Sequence, residues 1–208
     1  VPFPEEFDGG GFPWTVGLAI QELLQTSSLA FALAPLLTQG AIDALLHYGS
    51  DEQKAVYLPR MVSGEWTGTM NLTEPSAGTD VGALTTKAVP NGDGSYAITG
   101  QKIFITFGDH DLSDQIVHLV LARTPGAPDG TRGISCFIVP KFLLTADGEP
   151  GAPNSLECLA LEHKVGIHGS PTAVMSYEGA CGYLIGEENQ GMRIMFVMMN
   201  SARVSVGM

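Results

Sequence analysis

The stretch Asn71-Leu72-Thr73-Glu74-Pro75-Ser76-Ala77-Gly78-Thr79-Asp80-Val81-Gly82-Ala83 concentrates residue types that could handle a ligand. An apolar strand enters a run of small, hydroxylated and glycine residues. Such a run exposes backbone N–H groups and lets a ligand approach the chain closely. On composition alone it also fits a polar surface loop. Asp109, His110, Asp111 and Asp114 could face a cation, but the spacing lacks the Gly and closing Glu of a calcium loop. A solvated loop after a strand is the simpler reading. His163 and His168 lack the i, i+4 spacing that puts two imidazoles on one helix face, and read as structural or pocket-lining. Cys136, Cys158 and Cys181 show neither metal-ligand nor pairing spacing and read as reduced thiols. No metal is expected.

Three blocks of chain must position these residues. Residues 1–64 read as an N-terminal helical region. Val16, Leu18, Ala19, Leu23 and Leu24 fit a helical face over Trp14–Leu24, and a second helix covers Leu29–Tyr48, weakened by Pro35 and Gly40. Gly49 ends it. Ser50 and Gln53 have the spacing of a capping box, and the next helix carries Val56, Leu58, Met61 and Val62. Residues 65–185 read as a β domain of short runs between Gly, Pro, Asn and Asp. Asn91-Gly92-Asp93-Gly94 marks a turn between Thr85–Pro90 and Ser95–Thr99. Gly100 separates Tyr96–Ile98 from Lys102–Thr106, and Ile116–Arg123 and Gly133–Val139 are further strands. From residue 186 to 208 a helix restarts near Glu187, with Met192, Met195, Phe196, Met199 and Val206 at helical spacing. The fold class expected is α+β: N-terminal helices, a middle antiparallel β sandwich or barrel, then the start of a C-terminal helical bundle.

On these residues rests a resemblance. The Asn71–Ala83 run resembles the signature of acyl-CoA dehydrogenases, with Asn71 where a small residue or Cys is usual. Tyr96–Thr106 resembles the family's paired strands ending in Lys, an aromatic, Ile and Thr, with Phe104 where many members have Trp. Gly166–Thr172 is a third match. Leu184–Met192, followed by Arg203, is a fourth. The four stand in family order and span roughly residues 15–208. Phe107–Leu112, Glu162–Thr172 and Met198–Arg203 resemble the 3-methylmercaptopropionyl-CoA dehydrogenase subgroup.

The resemblance implies FAD-dependent α,β-dehydrogenation of an acyl-CoA thioester to a trans-2-enoyl-CoA. Electrons would pass to an electron-transferring flavoprotein, and the protein would be a homo-oligomer. The carried-over cofactor residues are Met70, Leu72, Thr73, Gly78, Thr79, Phe104, Ile105 and Thr106. Backbone N–H groups near Leu72 and Thr73 would face the flavin pyrimidine, Phe104 would pack on the ring system and Thr106 would lie near N5. Gly78 and Thr79 would approach the pyrophosphate. Thr79, Asn200 and Arg203 would meet the substrate. The family's catalytic base is a glutamate of a C-terminal domain beyond Met208, so no catalytic residue is assigned here and Glu74 is read as structural. The scaffold also carries flavin oxidases and monooxygenases, and non-catalytic binding proteins.

Composition bounds the remainder. The chain has 208 residues and a net charge of −12, which argues against nucleic acid or an anionic membrane surface as partner. Gly-x-Gly-x-x-Gly is absent, so a Rossmann fold is not expected. No run approaches 18 apolar residues, so no membrane-spanning helix is expected, and no basic segment suggests a secretory leader. A cytoplasmic location is expected. The start at Val1 and the uncapped end lead to the expectation of a segment from a longer protein.

Overall fold

A computed structural model describes residues 1–207. Helix α1 spans Trp14–Tyr48, but Ser28 has non-helical angles (φ −160°, ψ 95°). The two expected helices therefore meet at a break inside one rod. Pro35 and Gly40 sit in its second half without ending it. Gly40 serves close approach: a Cβ there would lie 2.8 Å from Met198 Cγ. No unbroken apolar run suggests a membrane-spanning helix, yet by length and composition alone α1 is long and apolar enough to cross a membrane. An 18-residue window of α1 has mean hydropathy 1.6. Ala, Gly and Thr interleave its Leu residues, so the average is high although no long unbroken run exists. Of that window, 56% is buried inside the protein, because α1 is the rod on which other elements pack.

Helix α2 spans Asp51–Ser63 and starts as expected. Gln53 N–H donates to Ser50 Oγ (3.2 Å), and Ser50 N–H donates to Gln53 Oε1 (3.0 Å). The Gln53 side chain also donates to Leu184 O at 2.8 Å, pinning the helix start to the β domain. Its buried residues are Tyr57, Leu58 and Met61, whereas Val56 is exposed. The buried stripe is set by Trp66, whose ring meets Tyr57 edge-on at 5.9 Å.

The strands are β1 Trp66–Asn71, β2 Lys87–Pro90, β3 Tyr96–Thr106, β4 Gln115–Ala122, β5 Ser135–Pro140, β6 Phe142–Leu144, β7 Pro150–Pro153, β8 Leu156–Leu161 and β9 Thr172–Leu184. The main sheet runs β1-β4-β5-β9-β3-β2, with β8 also on β9, and β6–β7 form a separate hairpin. One pair departs from the antiparallel expectation: β1 and β4 are parallel. The chain leaves β1 through the Leu72–Ala83 turn and the β2–β3 hairpin before returning as β4, and a crossover permits parallel pairing. Ala88 N–H donates to Arg123 O (2.8 Å) and Arg123 N–H to Thr86 O (2.9 Å), which brings the start of β2 back to the end of β4 and closes a barrel. Gly100 does not separate two strands. It lies inside β3, where a Cβ would stand 2.3 Å from Thr86 Oγ1.

Alternation along the central strands builds two cores. Val117, Leu119, Leu121, Cys136 and Ile138 face the helices and pack with Leu45, Leu58, Trp66, Met195 and Met198. Val120, Ala122, Phe137 and Val139 face the barrel interior with Ile98, Ile105, Met175 and Tyr177. Burial on both faces explains why β4 and β5 read as continuous apolar runs. Helix α3, Gly191–Val206, begins four residues after Glu187, where Gly191 N–H donates to Ile134 O (2.7 Å). Its inner stripe is Ile194, Met195 and Met198. Phe196 and Val206, expected on that stripe, are exposed.

The contact between β1 and the helices has no spare room. A Cβ on Gly68 would stand 2.5 Å from Ala41 Cβ and 2.9 Å from Met61 Cε. Gly68→Ala should cost about 1–3 kcal/mol by overpacking. The expected readout is a lower urea midpoint with an unchanged slope. An unchanged midpoint would contradict this packing.

Candidate functional site

Two of the stretches singled out in the sequence are stitched together. Where β1 ends, Leu72, Thr73 and Glu74 run alongside Lys102 and Ile103 of β3, and Ile103 N–H donates to Thr73 O at 2.9 Å. Glu74 and Ala77 exchange N–H···O bonds of 3.1 Å each, so Pro75 and Ser76 form the tip of a tight turn. The Glu74 carboxylate points inward. It accepts from Thr85 N–H (2.7 Å), the Thr85 hydroxyl (2.8 Å), Thr86 N–H (3.0 Å) and the Thr86 hydroxyl. It also pairs with Lys102 Nζ at 2.9 Å, and Lys102 Nζ donates to Leu72 O at 3.0 Å.

Both ions are buried, with side-chain exposures of 2% for Glu74 and 0% for Lys102. Burial alone would raise the Glu74 pKa, but the Lys102 charge and the surrounding donors prevail and hold it at about 2. Burial, opposed by Glu74, lowers Lys102 to about 8. Glu74 is therefore a poor proton acceptor near neutral pH. Its geometry is that of a structural anchor, the role read for it from sequence. Lys102 was not singled out from sequence as its partner. Its signal was a lone cation directly before the apolar run Ile103-Phe104-Ile105.

Just beyond Lys102 the pairing of β3 with β9 slips by one residue. Phe104 takes the extra position with φ 60°, and the residue is 58% exposed. A non-glycine residue in this region costs roughly 1–2 kcal/mol, and such strain gathers at working sites. Phe107 repeats the conformation at φ 52° and donates its N–H to Pro171 O at 2.7 Å. The bulge turns Ile105 into the barrel core, 2% exposed. The Ile105 side chain is therefore packed away from the surface, and only its backbone could meet a ligand. Thr106 is half-buried at the end of β3, in register with Thr172.

Gly78 and Thr79 are exposed on the turn's outer side. A Cβ on Gly78 would meet nothing nearer than Thr73 Cγ2 at 3.8 Å, so the outside of the turn is open. On the helical side, half-buried Met70 joins Met199, Ala202, Arg203 and Val206 around a pocket of about 380 Å³. Asn200 lies outside this pocket, lining another of about 340 Å³ with Trp14, Leu18 and Val204. Arg203 Nη1 donates to Asn200 Oδ1 at 3.0 Å, which links the two pockets. The Asp109–His110 loop is occupied with its own bonds. Asp109 pairs with Lys141 at 2.6 Å, and His110 Nε2 lies 3.1 Å from Thr67 Oγ1.

Removing the charge of Glu74 should expose how much depends on it. Glu74→Gln leaves Lys102 buried without its counter-ion, a loss of about 3–5 kcal/mol. Adding Lys102→Met should recover part of that loss. Because the folded pKa lies below the usual carboxylate value, the ion pair's stabilisation is complete above about pH 4.3. It declines as pH falls towards about 2. Urea midpoints between pH 5 and 3 should fall more steeply in the parent than in Glu74→Gln; equal slopes would contradict the assignment.

Comparison with known proteins places this geometry. "Acyl-CoA dehydrogenase, N-terminal domain" matches residues 1–65, and "Acyl-CoA dehydrogenase, middle domain" matches residues 69–180. The chain is 58% identical over 204 residues to 3-methylmercaptopropionyl-CoA dehydrogenase of Ruegeria pomeroyi, covering 98% of this chain and 35% of that protein. It is 45% identical over 214 residues to a butyryl-CoA dehydrogenase of Syntrophomonas wolfei, covering 99% of this chain and again 35% of the relative. The crystal structure of an acyl-CoA dehydrogenase complexed with FAD from Bacillus anthracis superposes with a TM-score of 0.79 at 28% identity, over 99% of this chain and 33% of that one. The chain thus spans about a third of the length of these relatives. Two family domains in sequence order, on a fold of helices, a closed sheet and a returning helix, establish that this chain belongs to the acyl-CoA dehydrogenase family.

Proposed function

We propose that this chain is the flavin-holding part of an FAD-dependent enzyme that converts an acyl-CoA thioester to a trans-2-enoyl-CoA. The observation that carries the reading is the Phe104 bulge, locked against the Thr73–Glu74 turn. A strained, exposed aromatic ring beside an open turn has no packing purpose of its own.

The residues present fit a flavin. Phe104 offers a flat apolar face. Gly78 leaves open space where a Cβ would stand. Glu74, the turn's buried acid, is neutralised inward by Lys102 and does not face a pyrophosphate. In this reading backbone N–H groups at Leu72 and Thr73 serve the pyrimidine edge, Thr106 the N5 side, and Gly78 and Thr79 the pyrophosphate. Ile105 contributes only its backbone, and Met70 borders the ring system from the helical side. When bound, FAD supplies the two-electron acceptor for a hydride leaving the substrate's β carbon. Thr79 and Arg203 would meet the acyl-CoA, with Asn200 orienting Arg203 through their hydrogen bond. The base that takes the α proton is proposed to be a glutamate outside this chain.

The subgroup relative supports a short sulfur-containing acyl group as substrate. Electrons are proposed to pass to an electron-transferring flavoprotein, from a homo-oligomer in the cytoplasm.

Anaerobic mixing of the FAD-loaded, full-length protein with 3-methylthiopropionyl-CoA should bleach the oxidised-flavin absorbance. Residues 1–208 alone should turn nothing over. If no member of an acyl chain-length series bleaches the flavin, dehydrogenation is rejected, and oxidase-type or non-catalytic readings replace it. A second test uses strain. Phe104→Gly removes both the ring and the left-handed penalty. The apoprotein should become more heat-stable by about 1 kcal/mol. FAD binding should weaken by about tenfold or more, the equivalent of a lost aromatic contact. Unchanged FAD affinity would remove Phe104 from the site.

A further inference from the structure

Beneath β1, inside an otherwise apolar barrel, runs a buried chain of polar side chains. Tyr177 donates its hydroxyl to Asn71 Oδ1 (2.9 Å), and Asn71 Nδ2 donates to Thr69 Oγ1 (2.8 Å). Thr69 Oγ1 lies 2.7 Å from His118 Nδ1. Thr69, Asn71 and His118 are 0% exposed, and Tyr177 is 1% exposed. Each link fixes the next. Thr69 Oγ1, accepting from Asn71, thus joins the amide to the His118 ring. His118 Nε2 has no partner among the described residues. Burial holds the ring neutral at ordinary pH, with its pKa at about 3. The His118 and Tyr177 rings meet edge-on at 6.2 Å.

Apolar side chains would fill this space at lower cost, so the polar chain calls for an explanation beyond packing. Its position supplies one. Thr69 and Asn71 lie on the inner face of β1, so Met70 and Leu72 lie on the other. Immediately after Asn71, Leu72 O is held by Lys102 Nζ at 3.0 Å. The backbone from Asn71 to Thr73 is thus anchored by a side chain at one end and by a carbonyl at the other.

We propose that Asn71 is a positioning residue for the flavin, with Tyr177 and Thr69 as its supports. Clamped from inside the barrel, it holds the Leu72 and Thr73 peptide groups at the orientation a flavin pyrimidine edge requires. The inference rests on the FAD reading above and assigns this role to a side chain that does not itself touch the cofactor.

The test measures FAD affinity of the full-length apoprotein by flavin-fluorescence titration, alongside melting temperature. Tyr177→Phe keeps the ring and removes only the donor. It should weaken FAD binding by about tenfold, the factor expected for one unpaired buried polar group. Asn71→Ala should do the same. The double variant should lose little more than either single one, because one chain is broken once. Val139→Ala, a barrel-core change that also lowers the melting temperature, should leave FAD affinity unchanged. If Tyr177→Phe and Asn71→Ala lower only the melting temperature, or if Val139→Ala weakens FAD equally, the chain merely holds the barrel and the proposal fails. If the parent protein binds no FAD, the underlying reading fails first.

Discussion

The Glu74–Lys102 ion pair is the constraint around which this molecule is arranged. Taking two charges out of water is costly, and their attraction offsets the cost only when the remaining lone pairs and protons find partners. Here they do. The carboxylate gathers the N–H and hydroxyl groups of Thr85 and Thr86, and the ammonium takes the carbonyl of Leu72. One pair thereby fixes the end of β1, the turn after it, the entry to β2 and the middle of β3. A buried ion pair contributes more to register than to net stability, and register is what this site needs. With Glu74 drawn inward, Ser76, Gly78 and Thr79 are left on the outside of the turn.

A second cation does comparable work at the other edge. Arg123, at the end of β4, donates to Leu84 O (3.1 Å), Pro128 O (2.9 Å), Gly130 O (2.7 Å) and Gly82 O. Its own backbone bridges β2. Guanidinium geometry suits this role because its fixed fork can serve several carbonyls at once. The segment Val81–Ala83, which leaves the candidate site, and the loop Pro128–Gly130 are thereby held to one side chain. The barrel is closed by backbone at β2 and braced by Arg123 where the strand ladder ends.

What could be read from the chain follows from the range of each interaction. The Ser50–Gln53 cap, the Asn91–Gly94 turn and the buried strands β4 and β5 are written locally, in residue types and spacing. The family was legible from four short stretches because each keeps its order and spacing. Pairings between distant segments were not. The parallel match of β1 with β4 depends on a crossover, and no local pattern announces it. β9 is hard to recognise because Gly179 and Gly182 interrupt its apolar alternation. The stripes of α2 and α3 were displaced because several apolar residues fit a helical period. Which of them face inward is decided by Trp66 and α1. The inward turn of the Ile105 side chain is hidden for a related reason: a bulge reverses the side-chain alternation after Phe104, and bulges leave little trace in sequence.

The allocation of buried acids then bears on where chemistry can occur. Among the described residues the buried carboxylates are Glu74 and Asp43. Glu74 is committed to Lys102. Asp43, on α1, accepts from Ser201 of α3 at 2.8 Å, and burial raises its pKa despite that bond and nearby His47. Its place is the α1–α3 contact, beside the close approach of Gly40 to Met198. That contact bears on the rotation of α3, and so on the side from which Arg203 lines the pocket it shares with Met70. Both acids therefore orient elements that border the proposed flavin and acyl-CoA sites. Neither is presented to a ligand. The interior acids of this scaffold are thus committed to alignment, each spent on holding one element against another.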